Sequence, residues 1–414
     1  MSSLHLARFH RAKPLLFAAL IGLPLAWPLS GPTFSLLSQM ASAWLVLLSL
    51  GLLVTRAGLL SFGQALFSGL AAYATAHAMN AIAAQGWPLP FALVPLYGGL
   101  FAVLTALVIG PISVRRGGLS FAMITLGLGV LAALLAPMLQ GFFGGEGGVS
   151  TDRTAGPAWL GLNLLTQRQV YGVSAAYVLL GASVLRWLDG ARLGLLARAV
   201  RDNPLRAAVS GVAPRLVRLH ILLISAFLAG LAGALQTLHF EQVGAGALSL
   251  QQSSMALLFS LAAGSGTAWG ALLGAVLMVG SEVMLAAASR AWMLYVGLGF
   301  LAIVIWAPKG LGGVLRGLTN RLLVKQPDLL WGLVALMLCL AVSIVGVSSL
   351  IELLYAARQQ LLGDSAVRLY GLSLPVHSVD VWTGAALLAA TGVGLSALVW
   401  RAFALELRID GASE

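Results

Sequence analysis

The sequence predicts an all-α polytopic membrane protein, and three features of its composition carry that prediction. Hydrophobic residues make up 59% of the 414 residues, whereas about 45–50% is usual in a globular protein. Charged residues make up only 9%, against about 25% in globular proteins, so they cannot cover the surface of a soluble protein of this size. The 49 glycines fit a membrane protein, because small residues let helices approach closely in lipid. These features exclude a soluble enzyme, a disordered chain and a fibrous protein.

Apolar runs that could cross a bilayer recur along the whole chain. A spanning helix needs about 20 predominantly apolar residues, or fewer where it is bent. The sequence contains twelve candidate spans, at residues 14–30, 35–54, 61–82, 90–112, 119–140, 170–188, 217–238, 250–263, 269–287, 291–307, 329–350 and 381–400. The eighth is the least apolar because the polar run 251–254 opens it, so we expect a short or broken helix buried in protein. We interpret the first run as a span, since Trp27-Pro28-Leu29-Ser30 is a poor signal-peptide cleavage site.

The distribution of basic residues predicts the orientation of these spans. When the N-terminus is placed in the cytoplasm and the sides alternate, 19 of the 24 basic residues fall on the cytoplasmic side, as the positive-inside rule requires. Twelve spans also return the C-terminus to the cytoplasm. The net charge of +11 therefore indicates membrane topology and not nucleic-acid binding, because the basic residues punctuate apolar runs and do not form one surface. We expect a multi-pass membrane protein with both termini in the cytoplasm.

Motifs for catalysis or metal binding are absent from the sequence. The three lysines are followed by Pro14, Gly310 and Gln326, so none belongs to a Walker A loop. No Gly-x-Ser-x-Gly or His-Glu-x-x-His motif is present, and the single cysteine, Cys339, permits no internal disulfide. We therefore expect a protein that is not an enzyme, that needs no metal or cofactor, and that moves or binds something without hydrolysing ATP itself.

The largest loop inside the core lies between the sixth and seventh spans, at residues 189–218. Its pattern predicts a first short helix over about 192–201. Asp202-Asn203-Pro204 then supplies an N-cap with proline at the first helical position, and Gly211 is a typical end for the second helix. Charge alone leaves two interpretations open: a basic linker held on anionic lipid, or a docking element for a cytoplasmic partner.

Glu282 is the one acidic residue that we place inside a span. Acids at membrane depth are costly and usually face a bundle interior or a watery path, although Glu282 could also pair with the nearby Arg290. His77 lies within a span and could line a path. Other polar residues at membrane depth are expected to form hydrogen bonds between helices; they are Gln64, Asn80, Thr125, Gln236 and Ser281.

Four segments, in this order, resemble a known family. They are LSFGQALFSGLAAY at 60–73, RGGLSFAMITLG at 116–127, the loop 194–211 with its run RAVRDN at 198–203, and APKGLGG at 307–313. Together, over about residues 30–315, they resemble the permease subunits of branched-chain amino-acid ABC transporters, of the LivM type. The resemblance implies a core of about ten helices, similar to the cobalamin-importer fold.

The resemblance also implies partners and a role for particular residues. The expected partners are a sister permease, two cytoplasmic ATPase subunits and a periplasmic substrate-binding protein, within the lipid bilayer. The chain would form the path for branched-chain or other hydrophobic amino acids. The expected ATPase-coupling residues are Arg198, Arg201, Asp202, Asn203, Pro204, Arg206 and Gly211, whose arginines would meet acidic groups on the ATPase. Candidate residues of the translocation path are Gln64, Thr125, Glu146 and Glu282.

Two departures from the family pattern leave alternatives open. Residues 1–320 would form the permease core, and residues 321–414 would add two spans that the family core lacks. Glu146 stands in a glycine-rich loop where family members often have neutral residues, so urea, another small amide or an aromatic acid is an alternative substrate.

A twelve-span secondary transporter would need a more highly charged loop than Thr55-Arg56-Ala57-Gly58 after the second span and more embedded charges. A scaffold protein of the membrane is the third option.

Overall fold

The computed structural model describes most of the predicted core and part of the C-terminal region. The described residues are 20–27, 29–87, 89–157, 163–264, 268–289, 291–307, 310–313, 338–339, 342–343, 345–354, 357, 366–369, 372–375 and 378–410. Contacts divide the chain into two compact units. The first comprises Met1–Gly280 with Pro308–Gly312, and the second comprises Ser281–Ala307 with Gly313–Glu414. The boundary predicted at residue 320 lies outside the described residues.

The first unit is built from helices of very different length. They are α1 (Gly31–Leu52), α2 (Gln64–Gln85), α3 (Val94–Ser113), α4 (Leu119–Leu135), α5 (Gln140–Phe143), α6 (Gln167–Gly190), α7 (Arg192–Asp202), α8 (Pro204–Val209), α9 (Pro214–Phe240), α10 (Leu250–Ala263) and α11 (Ala268–Gly280). A π-helical turn at Leu53–Ala57 continues α1. Strands β1 (Val149–Ser150) and β2 (Gln242–Val243) pair antiparallel, with Val149 opposite Val243.

Six described helices are long and apolar enough to cross a membrane, judged by length and composition. They are Gly31–Ala57, Phe91–Ser113, Gln167–Gly190, Pro214–Phe240, Ala268–Leu285 and Val379–Val399. The predicted all-α polytopic class is therefore confirmed. A seventh span results if Leu119–Leu135 and Gln140–Gly147 count as one, but these two segments meet at an 88° bend. The predicted span 119–140 extends past the end of α4 at Leu135, where Pro137 prevents the helix from continuing.

The predicted eighth span, 250–263, is the helix α10, whose 14 residues are too few to cross a bilayer alone. Helix α2 has 22 residues, yet it does not count among the six apolar spans, since alanine, glycine and polar side chains dominate it. It lies inside the unit, and most of its side chains are buried. The predicted runs at 14–30 and 329–350 lie partly outside the described residues.

Helix α9 forms the centre of the first unit and packs against α1, α2 and α3. Glycines allow these close approaches. A Cβ on Gly230 would lie 2.8 Å from the carbonyl oxygen of Gly98 on α3, and a Cβ on Gly233 would overlap the carbonyl oxygen of Ser68 on α2. Small residues at helix crossings are the usual way to bring helices together in lipid, where no hydrophobic force drives their association.

The second unit begins with a π-helical turn at Ser281–Leu285. Its longer elements are α12 (Trp292–Trp306), α13 (Val345–Leu354), strands β3 (Ala366–Leu369) and β4 (Leu372–Pro375), and α14 (Val379–Asp410). The two strands form an antiparallel hairpin in which Leu369 pairs with Leu372. A Cβ on Gly392 of α14 would lie 2.7 Å from the Cα of Ser343, so glycine again permits a close helix contact.

Candidate functional site

The loop between α6 and α9 folds as the two predicted short helices, α7 and α8. The side-chain oxygen of Asn203 accepts a hydrogen bond of 2.9 Å from the backbone N–H of Arg206. Asn203 is therefore the N-cap of α8, and Pro204 occupies the first helical position, where it costs no backbone hydrogen bond. Residues 189–213 make up most of the loop 189–218 that was expected to dock the ATPases, and for that expected role we call them the coupling loop.

Gly211 allows the chain to turn directly after α8. Its φ of +82° lies in the left-handed region, which favours glycine. The N–H of Gly211 donates to the carbonyl of Ala208, and the N–H of Val212 donates to the carbonyl of Ala207, both at 3.0 Å. These bonds satisfy the last carbonyls of the helix, as in a glycine-terminated helix C-terminus.

Arg201 attaches the coupling loop to the end of α1. Its Nη1 donates to the backbone carbonyl of Thr55 at 2.5 Å, and its Nε and Nη2 donate to Oδ1 of Asp202 at 2.9 and 2.8 Å. The side chain passes over Gly58, where a Cβ would lie 2.8 Å from the Cγ of Arg201. The guanidinium of Arg201 therefore bonds to groups of its own chain, although it is partly exposed. The sequence had predicted that it would contact an acidic group on the ATPase.

A second ion pair at the same end of the unit joins α1 to α6. The guanidinium of Arg56, in the π-helical turn, bonds to the carboxylate of Asp189 near the end of α6. Sequence analysis did not single out this pair. The available signal was a basic residue after the second span and an acidic residue after the sixth, which the alternation of sides places at the same membrane face. The ends of α1 and α6 and the coupling loop are therefore connected.

The coupling loop has one buried face and one exposed face. The buried face consists of small or branched residues, namely Gly194, Ala197, Val200 and Ala207. On the other face Leu205 is 79% exposed and Val209 is 91% exposed, and Arg206 lies between them in the sequence. Arg198 is half-buried, and its Nε donates to the carbonyl of Gly194 at 3.3 Å. Exposed apolar side chains beside a cation suit contact with another protein or with the lipid interface.

Gln64 lies at a buried polar junction where α2 begins inside the unit. Its side chain is completely buried. The amide nitrogen donates to Oγ of Ser49 on α1 at 2.6 Å and to Oγ of Ser225 on α9 at 3.1 Å. Ser225 in turn donates to the carbonyl of Ser49 at 3.0 Å. The amide oxygen of Gln64 has no hydrogen-bond partner among the described residues.

Side chains from α4 and α10 satisfy backbone groups at the start of α2. Oγ1 of Thr125 accepts from the N–H of Phe62 at 3.3 Å, and Oγ of Ser253 accepts from the N–H of Ala65 at 2.9 Å. Gly63 lies against α4, because a Cβ there would be 2.8 Å from the carbonyl oxygen of Thr125. A helix start inside the bundle needs such partners, since water cannot supply them. Gln64 and Thr125 therefore lie at one junction.

The sequence analysis missed the serines of this junction, Ser49, Ser225 and Ser253. Serine is common in membrane helices, where it usually bonds to its own helix, so no local pattern distinguishes these three. Ser49 and Ser225, which share a hydrogen bond, are separated by 176 residues along the chain. Only the packing of α1 against α9 brings them together.

Glu146 lies at the opposite end of the unit from the coupling loop. It occupies a turn at Gly145–Gly147, its side chain is exposed, and the flanking Gly144 and Gly148 have left-handed φ values. This loop is attached to the end of α9, because Val149 pairs with Val243. Ser225 and Phe240 are separated along α9 by about 22 Å at 1.5 Å per residue. The structure therefore does not bring Glu146 next to Gln64.

Polar contacts fasten the loop around Glu146 to the membrane helices. Nε2 of His77 lies 2.7 Å from the carbonyl oxygen of Phe142, and Nδ2 of Asn80 donates to the carbonyl of Ser150 at 2.9 Å. Arg153 forms an ion pair of 3.3 Å with Glu241. The contact with Phe142 gives His77 a partner, and the three contacts together hold this region against α2 and the end of α9.

A second exposed acid, Asp152, lies in the same loop. Its carboxylate accepts from the hydroxyl of Thr154 at 2.6 Å and from the N–H of Thr154 at 2.7 Å. The hydroxyl hydrogen bond, followed by the backbone one, lowers the pKa of Asp152 below its ordinary value. This end of the unit therefore presents a negative charge on Asp152 at neutral pH.

Glu282 belongs to the second unit, in the π-helical turn at Ser281–Leu285. Such turns are frequent at functional sites. Arg290, its suggested partner, lies outside the described residues.

The same unit holds a carboxylate that sequence analysis missed: Glu352 accepts hydrogen bonds from the hydroxyls of Ser289 and Tyr295, the latter at 3.0 Å. Glu352 was missed because it follows the apolar run 329–350, and the sequence therefore placed it in the external loop.

Comparison with known proteins gives one family and two relatives. The family described as the permease component of branched-chain amino acid transport systems matches residues 33–307. The high-affinity branched-chain amino acid transport system permease protein LivM of Escherichia coli K12 is 28% identical over 142 residues, which cover 34% of this chain and 33% of the relative. LivM of Salmonella typhimurium LT2 matches with the same identity and coverage. The matched stretch thus spans about a third of these relatives. No solved structure matches the chain.

Proposed function

Because the chain belongs to the branched-chain amino acid transport permease family, we propose that it is the transmembrane subunit of an ATP-binding-cassette importer. It is a multi-pass permease and not an enzyme. In our proposal it works with a sister permease, two cytoplasmic ATPase subunits and a periplasmic binding protein in a bacterial inner membrane, and both of its termini are cytoplasmic. The transported substrate is a branched-chain or other hydrophobic amino acid.

The exposed face of the coupling loop is the observation that carries this proposal. Leu205 and Val209 project from α8 while the opposite face of the loop is buried against the unit. In our proposal these two side chains enter an apolar groove on the ATPase, and Arg206 pairs with an acidic group at its rim. Charge complementarity of this kind favours correct docking and suppresses wrong partners.

The attachments of the coupling loop explain how a movement of the ATPase would reach the membrane helices. Arg201 holds the loop to Thr55, and Arg56 joins the end of α1 to Asp189 at the end of α6. A displacement of α8 would therefore move both helix ends together. Ser49 lies about 10 Å along α1 from Arg56, at 1.5 Å per residue, and its hydroxyl accepts from Gln64. In this way the loop would act on the start of α2.

The path residues have different roles in this proposal. Gln64 is completely enclosed, so it sets the angle between α1, α2 and α9 and does not touch substrate in this conformation. Thr125 orients the chain entering α2 from the side of α4. Glu146 is exposed at the end opposite the coupling loop, where an incoming substrate would arrive. Glu282 would contribute from the second unit. A negative Glu146 favours substrates that carry an amino or amide N–H group, so urea or another small amide is the alternative cargo.

Reconstitution tests the proposal. The chain is purified with the sister permease, the two ATPase subunits and the binding protein and inserted into liposomes, and uptake of labelled leucine is measured with and without ATP. We expect uptake to require ATP, the ATPases and the binding protein, and we expect the chain alone to hydrolyse no ATP. Uptake driven by a proton or sodium gradient without ATPases would contradict the proposal, and so would nucleotide hydrolysis by the isolated chain. Competition by valine, urea and benzoate distinguishes the substrate classes.

A further inference from the structure

A long groove runs along the outside of the first unit, between α3, α6 and the helical segment 20–26. Its volume is about 560 Å³, which is within the range of about 300–1,000 Å³ common for ligand sites. Its walls are apolar and include Leu25, Leu96, Val173 and Leu180. Arg168, near the start of α6, lies at one end.

The floor of the groove is one face of α6. Arg168, Gly172, Ala176 and Leu180 recur every four residues along it, so they follow the same side of the helix over about 18 Å. A Cβ on Gly172 would meet nothing closer than Cδ2 of Leu25, at 3.9 Å. The small residues at positions 172 and 176 therefore leave an apolar channel along the floor of the groove.

The Arg168 end of this channel is positive. The Arg168 side chain is exposed, and one guanidinium nitrogen donates to the backbone carbonyl of Leu25. Its other N–H groups have no partner among the described residues. Arg168 lies in the first turn of α6, where the helix dipole adds to the positive potential. No acidic side chain forms an ion pair with Arg168 in the part of the chain that the structure describes.

We propose that this groove binds a phospholipid with an anionic headgroup. One acyl chain lies along Gly172, Ala176 and Leu180, and the phosphate is held by Arg168. The match is one of charge and shape, because a phospholipid also has a long apolar chain with a phosphate at one end. The position agrees with it, since Arg168 lies at one end of the apolar span Gln167–Gly190, and the ends of a membrane span are where lipid headgroups contact the protein. The proposal needs only the membrane location of the chain and not its transport partners.

Photocrosslinking in nanodiscs tests the proposal on the full-length chain. The probe is phosphatidylglycerol with a photoreactive group in its acyl chain, diluted in phosphatidylcholine, and adducts are mapped by mass spectrometry. We expect adducts on residues 172–180, and we expect unlabelled phosphatidylglycerol to compete better than phosphatidylcholine. Arg168→Gln should lower the adduct yield about tenfold, the effect of losing one charged hydrogen bond, and should abolish the headgroup preference.

Two further variants separate the groove from the surrounding surface. Gly172→Leu fills the channel and should abolish adducts on 172–180, while the helix is kept or strengthened because leucine is the better helix former. Leu179→Phe enlarges an exposed side chain of α6 that does not line the groove, so its labelling should equal that of the unmodified chain. Thermal unfolding of each variant checks the fold.

Three outcomes would overturn the proposal. The first is labelling of the unmodified chain that does not depend on headgroup charge. This outcome can be measured even if the variants fail to fold. The second is labelling unchanged by Gly172→Leu. The third is loss of labelling when the chain is assembled with its partners, together with disulfide trapping between a cysteine at position 176 and another subunit. That result would assign the groove to a partner helix, which small residues spaced four apart can also accommodate.

Discussion

The guanidinium of Arg201 donates to the backbone carbonyl of Thr55 across 146 residues of sequence. Arg201 belongs to the coupling loop, and Thr55 belongs to the turn that ends α1. Because Thr55 accepts through its backbone oxygen, the contact does not depend on the Thr55 side chain. It depends on where the backbone lies and on the guanidinium of Arg201. Arg201 is thus a structural attachment of the loop, whereas Arg206, whose side chain makes no hydrogen bond to described residues, is free for a partner.

This contrast predicts different effects for two charge reversals. Arg201→Glu loses the bond to Thr55 and places a second carboxylate beside Asp202, so it should lower thermal stability and also reduce ATPase co-purification. Arg206→Glu should leave thermal stability unchanged and reduce co-purification alone, through repulsion of acidic groups on the ATPase. The measurements are thermal unfolding in detergent and pull-down of the ATPases. Equal stability of the two variants would contradict the role assigned to Arg201.

Gly58 and Gly86 form a matched pair for testing the Arg201 contact. Both end a helix with φ of 64° and ψ of 30°. A Cβ on Gly86 meets nothing within 4 Å, whereas a Cβ on Gly58 would lie 2.8 Å from Arg201. Gly86→Ala should cost only the left-handed backbone strain of about 1–2 kcal/mol. Gly58→Ala should cost more and should also reduce transport, because Arg201 must move. Equal costs in chemical denaturation would contradict the contact.

A double-mutant cycle measures the polar junction. Gln64→Met keeps the volume but removes the donor to Ser225, and Ser225→Ala removes the acceptor. Hydrogen bonds between membrane helices average about 0.6 kcal/mol and reach about 1.7 kcal/mol. We expect a coupling energy in this range, with the double variant less destabilised than the sum of the single ones. Additive effects would show that the two side chains do not interact. Ser183→Ala, an exposed serine that bonds within α6, is the control.

Truncation after Leu318 tests whether the C-terminal region is needed for the core. The coupling loop and the polar junction belong to the first unit, so the truncated chain should still insert into the membrane and bind the ATPases. Truncation removes Ser348 and Glu352, which lie against Tyr295, so a cysteine at position 295 should be more exposed and react faster in the truncated chain than in the full chain with Cys339 replaced. Failure of the truncated chain to insert would show that the C-terminal region is needed for the core.

Cysteine labelling tests the proposed orientation. Ala208 and Glu146 are both exposed, at opposite ends of the first unit. With Cys339 replaced, a cysteine at position 208 should react with a membrane-impermeant maleimide only after the cells are opened, while one at position 146 should react in intact spheroplasts. Reaction of both from the same side would contradict the alternating topology, and the reverse pattern would invert the orientation.

Much of the fold and part of the candidate site follow from local sequence. The number of apolar residues requires a membrane protein, since no soluble surface could be made from so few charges. Asn203, Pro204 and Gly211 predict the ends of α8, because capping and left-handed turns depend on backbone groups only a few residues away. The end of α4 at Leu135 also has a local signal, which the continuous apolar run hides: Pro137 follows two residues later and cannot continue the helix.

The sequence by itself determined the class of the protein, the two short helices between α6 and α9 and the family, because hydropathy, helix caps and short motifs are local properties of the chain. Only the tertiary structure decided which polar groups meet. Gln64 reaches Ser225 across 161 residues, Arg201 reaches Thr55, and Glu352 accepts from Tyr295. The physical reason is that a polar group inside a membrane protein must find a partner, and helix packing, which spacing along the chain does not encode, decides which partner is near.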